Sequence, residues 1–472
     1  MSEDLNWRPA TELTKLYQAR GASPVEVAKG CLARISALEP TLNAMSLVDQ
    51  ATALEMAQAS EKRWIRGEPL SPLDGVPILV KDLLLVKGWP TRRGSRTVNP
   101  DQPWLHDAPC VARLREAGCV FIGMTTTPEF GWKGVTDSPL TGVTRNPWDP
   151  SKTPGGSSGG SAAGLAAGYA PLALGTDGGG SIRIPASFSG VYGLKPSFGR
   201  VPAWPLSPFG TVAHVGPMAR SVADAALMLN IISRPDARDW YGLPYDPTDH
   251  AGAAKRGVDG MVLAYSPRLG FDVAVAPDVE ALVRAAVQRL EQAGARVVEI
   301  DPGFKDPADT FRVIWWLGVR AAFGQMAADK LALLEPALRD VYEQSLDITV
   351  EQSLEATRQR GQLGSEMRQF MAGFDALLLP TMPDTAFEAG QLQPGLADPR
   401  GKWVNWTPFT YPFNLTQQPA ASIPCGVDRH GLPVGLQIVG RMFDDVTVLR
   451  ISAAIEAYGT GIRMPSEGWQ SR

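Results

Sequence analysis

The sequence predicts an α/β fold with a largely parallel sheet. Two passages, 109–124 and 259–301, alternate short apolar runs with helix-patterned stretches, the grammar of strand–helix–strand units. A third observation agrees. The turn Pro72-Leu73-Asp74-Gly75 opens into the apolar run Val76 to Val80, which stops at Lys81-Asp82 as a short buried strand does. A length of 472 residues is room for about three average domains or one large α/β unit.

In chain order, residues 9–59 read as helical. Leu13, Leu16 and Tyr17, then Val25, Val27, Ala28, Leu32 and Ile35, recur at helix spacing, and Ser23-Pro24 supplies a cap followed by proline at the first helical position. In 109–124, Val111 and Leu114 share a helix face, Gly118 stops the helix, and Cys119 to Ile122 is strand-like. Two glycine-rich passages follow, 154–168 and 175–193, and the turn-rich stretch 234–258 separates two halves. Beyond it come a strand Met261 to Tyr265, a helix 277–293 and a strand Ala295 to Ile300. Residues 305–372 are mostly helical. The end carries the apolar runs Leu377 to Leu379 and Leu436 to Val439, then a helix from about Asp445.

Composition narrows the class. With 44% hydrophobic and 20% charged residues the chain is too apolar to be disordered. A net charge of -4 argues against a broad nucleic-acid surface, which needs clustered cations to neutralise phosphates. No apolar stretch approaches the ~20 residues of a membrane helix, and the start, MSEDLNWRPA, lacks the basic-then-apolar order of a secretory signal. Cys31, Cys110, Cys119 and Cys425 lie far apart, so neither a disulfide framework nor a structural metal site is expected, and a cytoplasmic setting fits.

The chemistry concentrates in the glycine-rich passages. Pro154-Gly-Gly-Ser-Ser-Gly-Gly160 feeds a helix of small residues whose N-terminus presents free N–H groups. Gly178, Gly179 and Gly180 stand directly before Ser181, where successive amides can converge on a negative oxygen. Three readings compete: close-packed turns, a phosphate loop, or a serine nucleophile. No GxxxxGK[ST] or GxGxxG supports the second. Gly155-Gly-Ser157-Ser-Gly159 fits GxSxG, yet the stretch before it is loop rather than strand, and the later histidines, His214, His250 and His430, are isolated. Lys81 is an alternative base, because burial favours the neutral amine. Residue type alone favours the plainer reading of a strand-end lysine.

Taken together, PLDGVPILVKD, TPGGSSGGSAAGLAAG and PLALGTDGGGSIRIPASFSGVYGLKPSFGRV resemble the amidase signature family, with matching spacings between them. Ser23-Pro-Val-Glu-Val, Met124 to Gly131, Thr407 to Ala420 and Gly431 to Gly440 are similar to further blocks of that family, so the resemblance covers most of the chain. It implies one large mixed sheet covered by helices on both faces, in a single domain over 1–472. Within it, 1–65 is an N-terminal helical region, 66–232 the catalytic core, and 233–472 completes the sheet and the pocket.

The resemblance also implies an amide hydrolase with a Ser–Ser–Lys triad: Ser181 as nucleophile, Ser157 as bridge after a cis peptide, Lys81 as base. Ser158 and the pair Asp177 and Arg183 are supporting residues, the pair fixing the nucleophile loop. Neither metal nor organic cofactor is implied. The expected partner is a small-molecule amide, with a homodimer as the candidate assembly, and neither nucleic acid nor membrane. Gly178 departs from the family, whose members often carry a larger residue there such as threonine. Phe130, Trp132, Trp315 and Trp316 fall in segments expected to line the pocket, as do Trp403, Trp406, Phe409 and Phe413. They point to a hydrophobic or aryl amide. Hydrolysis of carbamates or esters by the same triad is one alternative. The glutaminase-like component of a tRNA-dependent amidotransferase is another, although TPFTYPFNLTQQPA looks more like the free-standing enzymes.

Overall fold

A single twisted sheet organises the computed structural model, which describes residues 5–395, 403–460 and 462. Its early strands are β1 (Met45–Val48), β2 (Pro77–Lys81) and β3 (Val120–Thr125). A small separate hairpin, β4 (Asp137–Ser138) with β5 (Gly142–Val143), comes next. The centre is built from β6 (Leu172–Asp177), β7 (Tyr192–Lys195) and β8 (His214–Ala219). The far side uses β9 (Val262–Tyr265), β10 (Arg296–Glu299), β11 (Ala376–Pro380), β12 (Ala420–Val427) and β13 (Pro433–Gly440). Among the described residues the main sheet has eleven strands, in the order β1-β3-β2-β6-β8-β7-β12-β13-β11-β9-β10.

The sheet is mixed rather than largely parallel. Where the sequence alternates strand and helix, the pairs are parallel: β2 with β3, and β9 with β10. β2 with β6 and β9 with β11 are parallel too, but the other neighbours run antiparallel, as in β6 with β8, β7 with β12 and β12 with β13. The last pair shows why. Its connection is a tight turn in which Asp428 Oδ1 accepts from the amides of His430 and Leu432 (both 2.8 Å), and a connection that short joins only antiparallel strands. The N-terminal helical stretch is also interrupted. Helices Pro24–Leu42 and Gln50–Arg66 flank β1, which pairs with the edge of β3.

Helices cover both faces, and the period-two alternation of β2 shows it. Ile78 and Val80 pack into one core with the helices Val222–Ile232 and Pro277–Gln292; Leu79 packs into another with Pro24–Leu42 and Gly159–Ala166. Lys81 has the parity of Leu79. β2 and β6 run parallel, so Lys81 and Asp177 end side by side at their carboxyl ends, next to the point where β8 reverses direction. That is where open α/β sheets leave a crevice for ligands.

Candidate active site

Lys81 is fully buried at the end of β2. Its Nζ reaches Ser157 Oγ at 2.7 Å, Ser158 Oγ at 2.9 Å and Thr176 Oγ1 at 2.9 Å. Among the described residues no carboxylate forms an ion pair with it. Burial therefore pushes the ammonium well below its ordinary pKa, with the charge of Asp177 pulling weakly the other way. Proton accounting around the nitrogen is informative. Ser158 Oγ donates to the carbonyl of Thr176 (3.2 Å), so it receives a hydrogen from Nζ. The lone pair of a neutral amine is then left to Ser157 or Thr176, and Ser157 is the nearer.

The helix Gly159–Ala166 holds the two serines over Lys81. Ser161 Oγ bridges Thr125 Oγ1 (2.8 Å) and the carbonyl of Leu174 (3.0 Å), pinning the helix to β3 and β6. Gly160 permits the close approach: a Cβ there would sit 2.6 Å from the carbonyl oxygen of Ala44 and 2.6 Å from the amide nitrogen of Thr126. Those are backbone atoms and cannot swing aside. Gly160→Ala is accordingly expected to destabilise by about 1–3 kcal/mol and to displace Ser157, lowering turnover more than stability. Urea unfolding beside a rate measurement checks this, and an unchanged rate would refute it. The Gly156–Ser157 peptide is cis, as the resemblance implied.

The second glycine loop is built around Asp177. Its Oδ1 accepts from the amide of Gly180 (2.8 Å) and its Oδ2 from that of Ile182 (3.1 Å). Arg183, also fully buried, grips the same carboxylate through Nε (3.0 Å) and Nη2 (2.9 Å). Burial alone would raise the Asp177 carboxyl, but the Arg183 charge overrides it and holds it well below the usual carboxylate range. The remaining guanidinium donors go to the carbonyl of Thr410, to Gln437 Oε1 and to Asn414 Oδ1. Thr410 Oγ1 binds the carbonyl of Gly179 at 2.7 Å. Asp177 and Arg183 thus fix the loop as expected. One glycine differs: the Gly180 N–H is committed to Asp177, so of the three glycine amides expected to meet an oxyanion only those of Gly178 and Gly179 remain. The two loops are tied directly, the amide of Ser158 donating to the carbonyl of Ser181 (3.1 Å).

A family model described as Amidase matches residues 26–449. The chain belongs to the amidase signature family. Among its relatives, an acylamidase from Rhodococcus erythropolis is 36% identical over 461 residues, covering 96% of each chain. The A chain of the glutamyl-tRNA(Gln) amidotransferase from Myxococcus xanthus is 38% identical over 483 residues, covering 94% of this chain and 96% of the relative. The crystal structure of a bacterial aryl acylamidase of the amidase signature family superposes with a TM-score of 0.89 at 31% identity, covering 98% of each chain. The protein is an amide hydrolase acting on carbon–nitrogen bonds other than peptide bonds.

In this amidase, Ser157 and Ser181 face a cavity of about 440 Å³. Phe130, Trp132 and Trp315 line it, as expected, and so do Phe198, Phe209 and Tyr241, which the sequence did not single out. The helix Ala308–Phe323 supplies Trp315, Val319 and Phe323 to it as one i, i+4 stripe. Trp315 stacks on Phe209 at 3.9 Å, and its Nε1 donates to the carbonyl of Trp132 (3.0 Å). Trp316, one residue on, is turned about 100° away and packs toward Gln344, so it does not line the cavity. Trp406 is also outside it, stacked on Phe188 with Nε1 bound to the carbonyl of Leu392 (3.1 Å). Phe409 and Phe413 are wholly buried core residues. The side chain of Trp403 lies outside the described residues. At Gly178 the space that a side chain would occupy is taken by the Trp315 indole, 2.7 Å from an added Cβ.

Thr176, Thr410, Asn414 and Gln437 are the site residues that sequence reasoning missed. All four sit in blocks that carried the resemblance, Thr176 as a polar residue near the end of an apolar strand. His214 lines the cavity, but both its nitrogens are occupied. Nδ1 faces the carbonyls of Val212 (2.8 Å) and Asp177 (3.2 Å), so it carries the hydrogen, and Nε2 faces Lys195 Nζ (3.4 Å). Burial and the neighbouring Lys195 keep it neutral, in keeping with a structural histidine. Among the described residues, no helix is long and apolar enough to cross a membrane.

Proposed function

We propose that this amidase cleaves hydrophobic or aryl amides through an acyl-enzyme on Ser181, with Ser157 as proton relay and Lys81 as base. The observation that carries the reading is the environment of Lys81 Nζ: a buried amine ringed by three hydroxyls, without an ion pair, beside a cavity that exposes both serines.

A serine hydroxyl is a weak nucleophile until a base takes its proton. Neutral Lys81 accepts the proton of Ser157 while Ser157 accepts that of Ser181. Ser181 Oγ attacks the substrate carbonyl carbon, and the amides of Gly178 and Gly179 receive the negative oxygen that forms. Each such donor is worth about 3–4 kcal/mol in the transition state. The proton then travels from Lys81 through Ser157 to the leaving nitrogen, the C–N bond breaks and the amine departs. Water, deprotonated by the same relay, attacks the ester, releases the acid and restores Ser181. The aromatic lining supports an aryl or bulky apolar substrate, and the aryl acylamidase likeness supports the same class.

A fluorophosphonate probe is expected to label the wild-type protein and not Ser181→Ala, and the wild type is expected to cleave a neutral anilide such as 4-nitroacetanilide that the variant leaves intact. Labelling of Ser181→Ala to the wild-type extent would reject Ser181 as the nucleophile. Carbamates and esters belong in the same assay, since they present the same carbonyl. The likeness to the Myxococcus xanthus amidotransferase chain favours a second reading, glutamine hydrolysis within an assembly. Glutamine turnover that appears only with added partner proteins would select it.

A further inference from the structure

We propose that Arg93 binds a carboxylate on the substrate, so that the preferred amide has an apolar body and an acidic end. The inference rests on the cavity being the amide-binding site. Arg93 lies in the loop after β2 and lines the cavity that Ser157 and Ser181 face. Its backbone is left-handed, φ 56°, a region arginine rarely enters and one that clusters at ligand sites. Neighbours hold it there. The amide of Phe130 donates to the carbonyl of Arg93 (2.8 Å), and the amide of Gly94 donates to Asp82 Oδ2 (3.2 Å).

The guanidinium so presented is half-buried. Among the described residues it has neither hydrogen bond nor ion pair, its electrostatic neighbour being the buried Asp82. The other charges on the cavity wall are answered. Asp177 is held by Arg183. Asp239 accepts the amides of Ala203 and Tyr241, both at 2.8 Å. His214 is neutral. Arg93 is therefore a partly desolvated cation without an ion-pair partner, on the wall of a cavity rich in apolar side chains, a costly arrangement that a ligand anion relieves. Its planar fork of donors matches a carboxylate.

The test reads binding separately from turnover. Quenching of tryptophan fluorescence in the Ser181→Ala protein is titrated with N-phenylsuccinamic acid, acidic on the acyl side, and 4-acetamidobenzoic acid, acidic on the leaving side. Each is compared with its methyl ester. One acid is expected to bind about ten- to a hundredfold tighter than its ester, with a ratio that shrinks as salt rises and collapses in Ser181→Ala/Arg93→Gln. Two acids no tighter than their esters, a ratio indifferent to salt, or one that survives Arg93→Gln would overturn the proposal. The salt arm decides without any change at Arg93, should the double variant not fold. Neutral 4-nitroacetanilide turnover by the wild type remains the separate test of the amidase reading. Its failure would reject that reading and leave the acid-to-ester ratio to decide on Arg93.

Discussion

Replacing Lys81 by methionine is expected to lower kcat/KM for an anilide by about 10²–10⁴-fold, the range over which positioned acid–base catalysis acts. Methionine keeps most of the buried volume and removes the proton acceptor. In the proposed mechanism Ser157 then has no base behind it, and Ser181 is left as an ordinary hydroxyl. The wild-type pH profile carries the same claim with a defined sign. In the proposed mechanism the active form is the deprotonated amine, so kcat/KM for acylation is expected to rise with pH and then level off. Burial depresses the Lys81 pKa, and the plateau starts well below the range in which a free lysine loses its proton. A Lys81→Met rate within tenfold of wild type, or a wild-type profile flat across about pH 5–9 with acylation rate-limiting, would remove Lys81 from the mechanism.

The second large effect belongs to Asp177. Asp177→Ala leaves the guanidinium of Arg183 buried without its counter-ion and strips the amides of Gly180 and Ile182 of their acceptor. Breaking a buried pair by removing one partner costs about 3–5 kcal/mol, and the unsatisfied amides add to it. The nucleophile loop loses its anchor at the same time, so activity falls beyond what the folded fraction explains. Asp177→Asn, which retains acceptor capacity, is expected to lose less. Equilibrium urea unfolding measures both. A loss under about 1 kcal/mol for Asp177→Ala would show that the pair is not what holds the loop.

Much of this was legible in the residues, for physical reasons that differ from place to place. The glycine loops were readable because close backbone approach and positive φ demand glycine: Gly160 faces the backbone of Ala44 and Thr126, and Gly180 adopts φ 128° against Thr410. β2 was readable because a buried strand is a short apolar run between a turn and polar residues. β1 was not. Four residues between two helices give too little pattern to interrupt a helical reading, and what makes Met45–Val48 a strand is the edge of β3. The mixed sheet was hidden likewise, because local alternation reports only the pairs joined by a helix.

Unlike Asp177, the distant partners of Arg183 lay beyond sequence reasoning. Thr410, Asn414 and Gln437 reach it from more than two hundred residues away, and nothing in their local pattern announces it. Aromatic composition pointed to the kind of cavity but not its walls. Trp315 and Trp316 are neighbours in sequence, yet the turn of the helix sends one to the cavity and the other to Gln344. Phe209 emerges from a proline-rich loop that carries no periodicity.

The charge on a single nitrogen decides between a base and a structural lysine. Protein labelled with carbon-13 at lysine Cε, with the Lys81→Met variant assigning the resonance, reports it by titration. The account predicts that the Lys81 signal has the shift of a neutral amine at about pH 7 and moves to that of an ammonium only on acidification. A signal that stays that of an ammonium up to the pH where ordinary lysines titrate would contradict it.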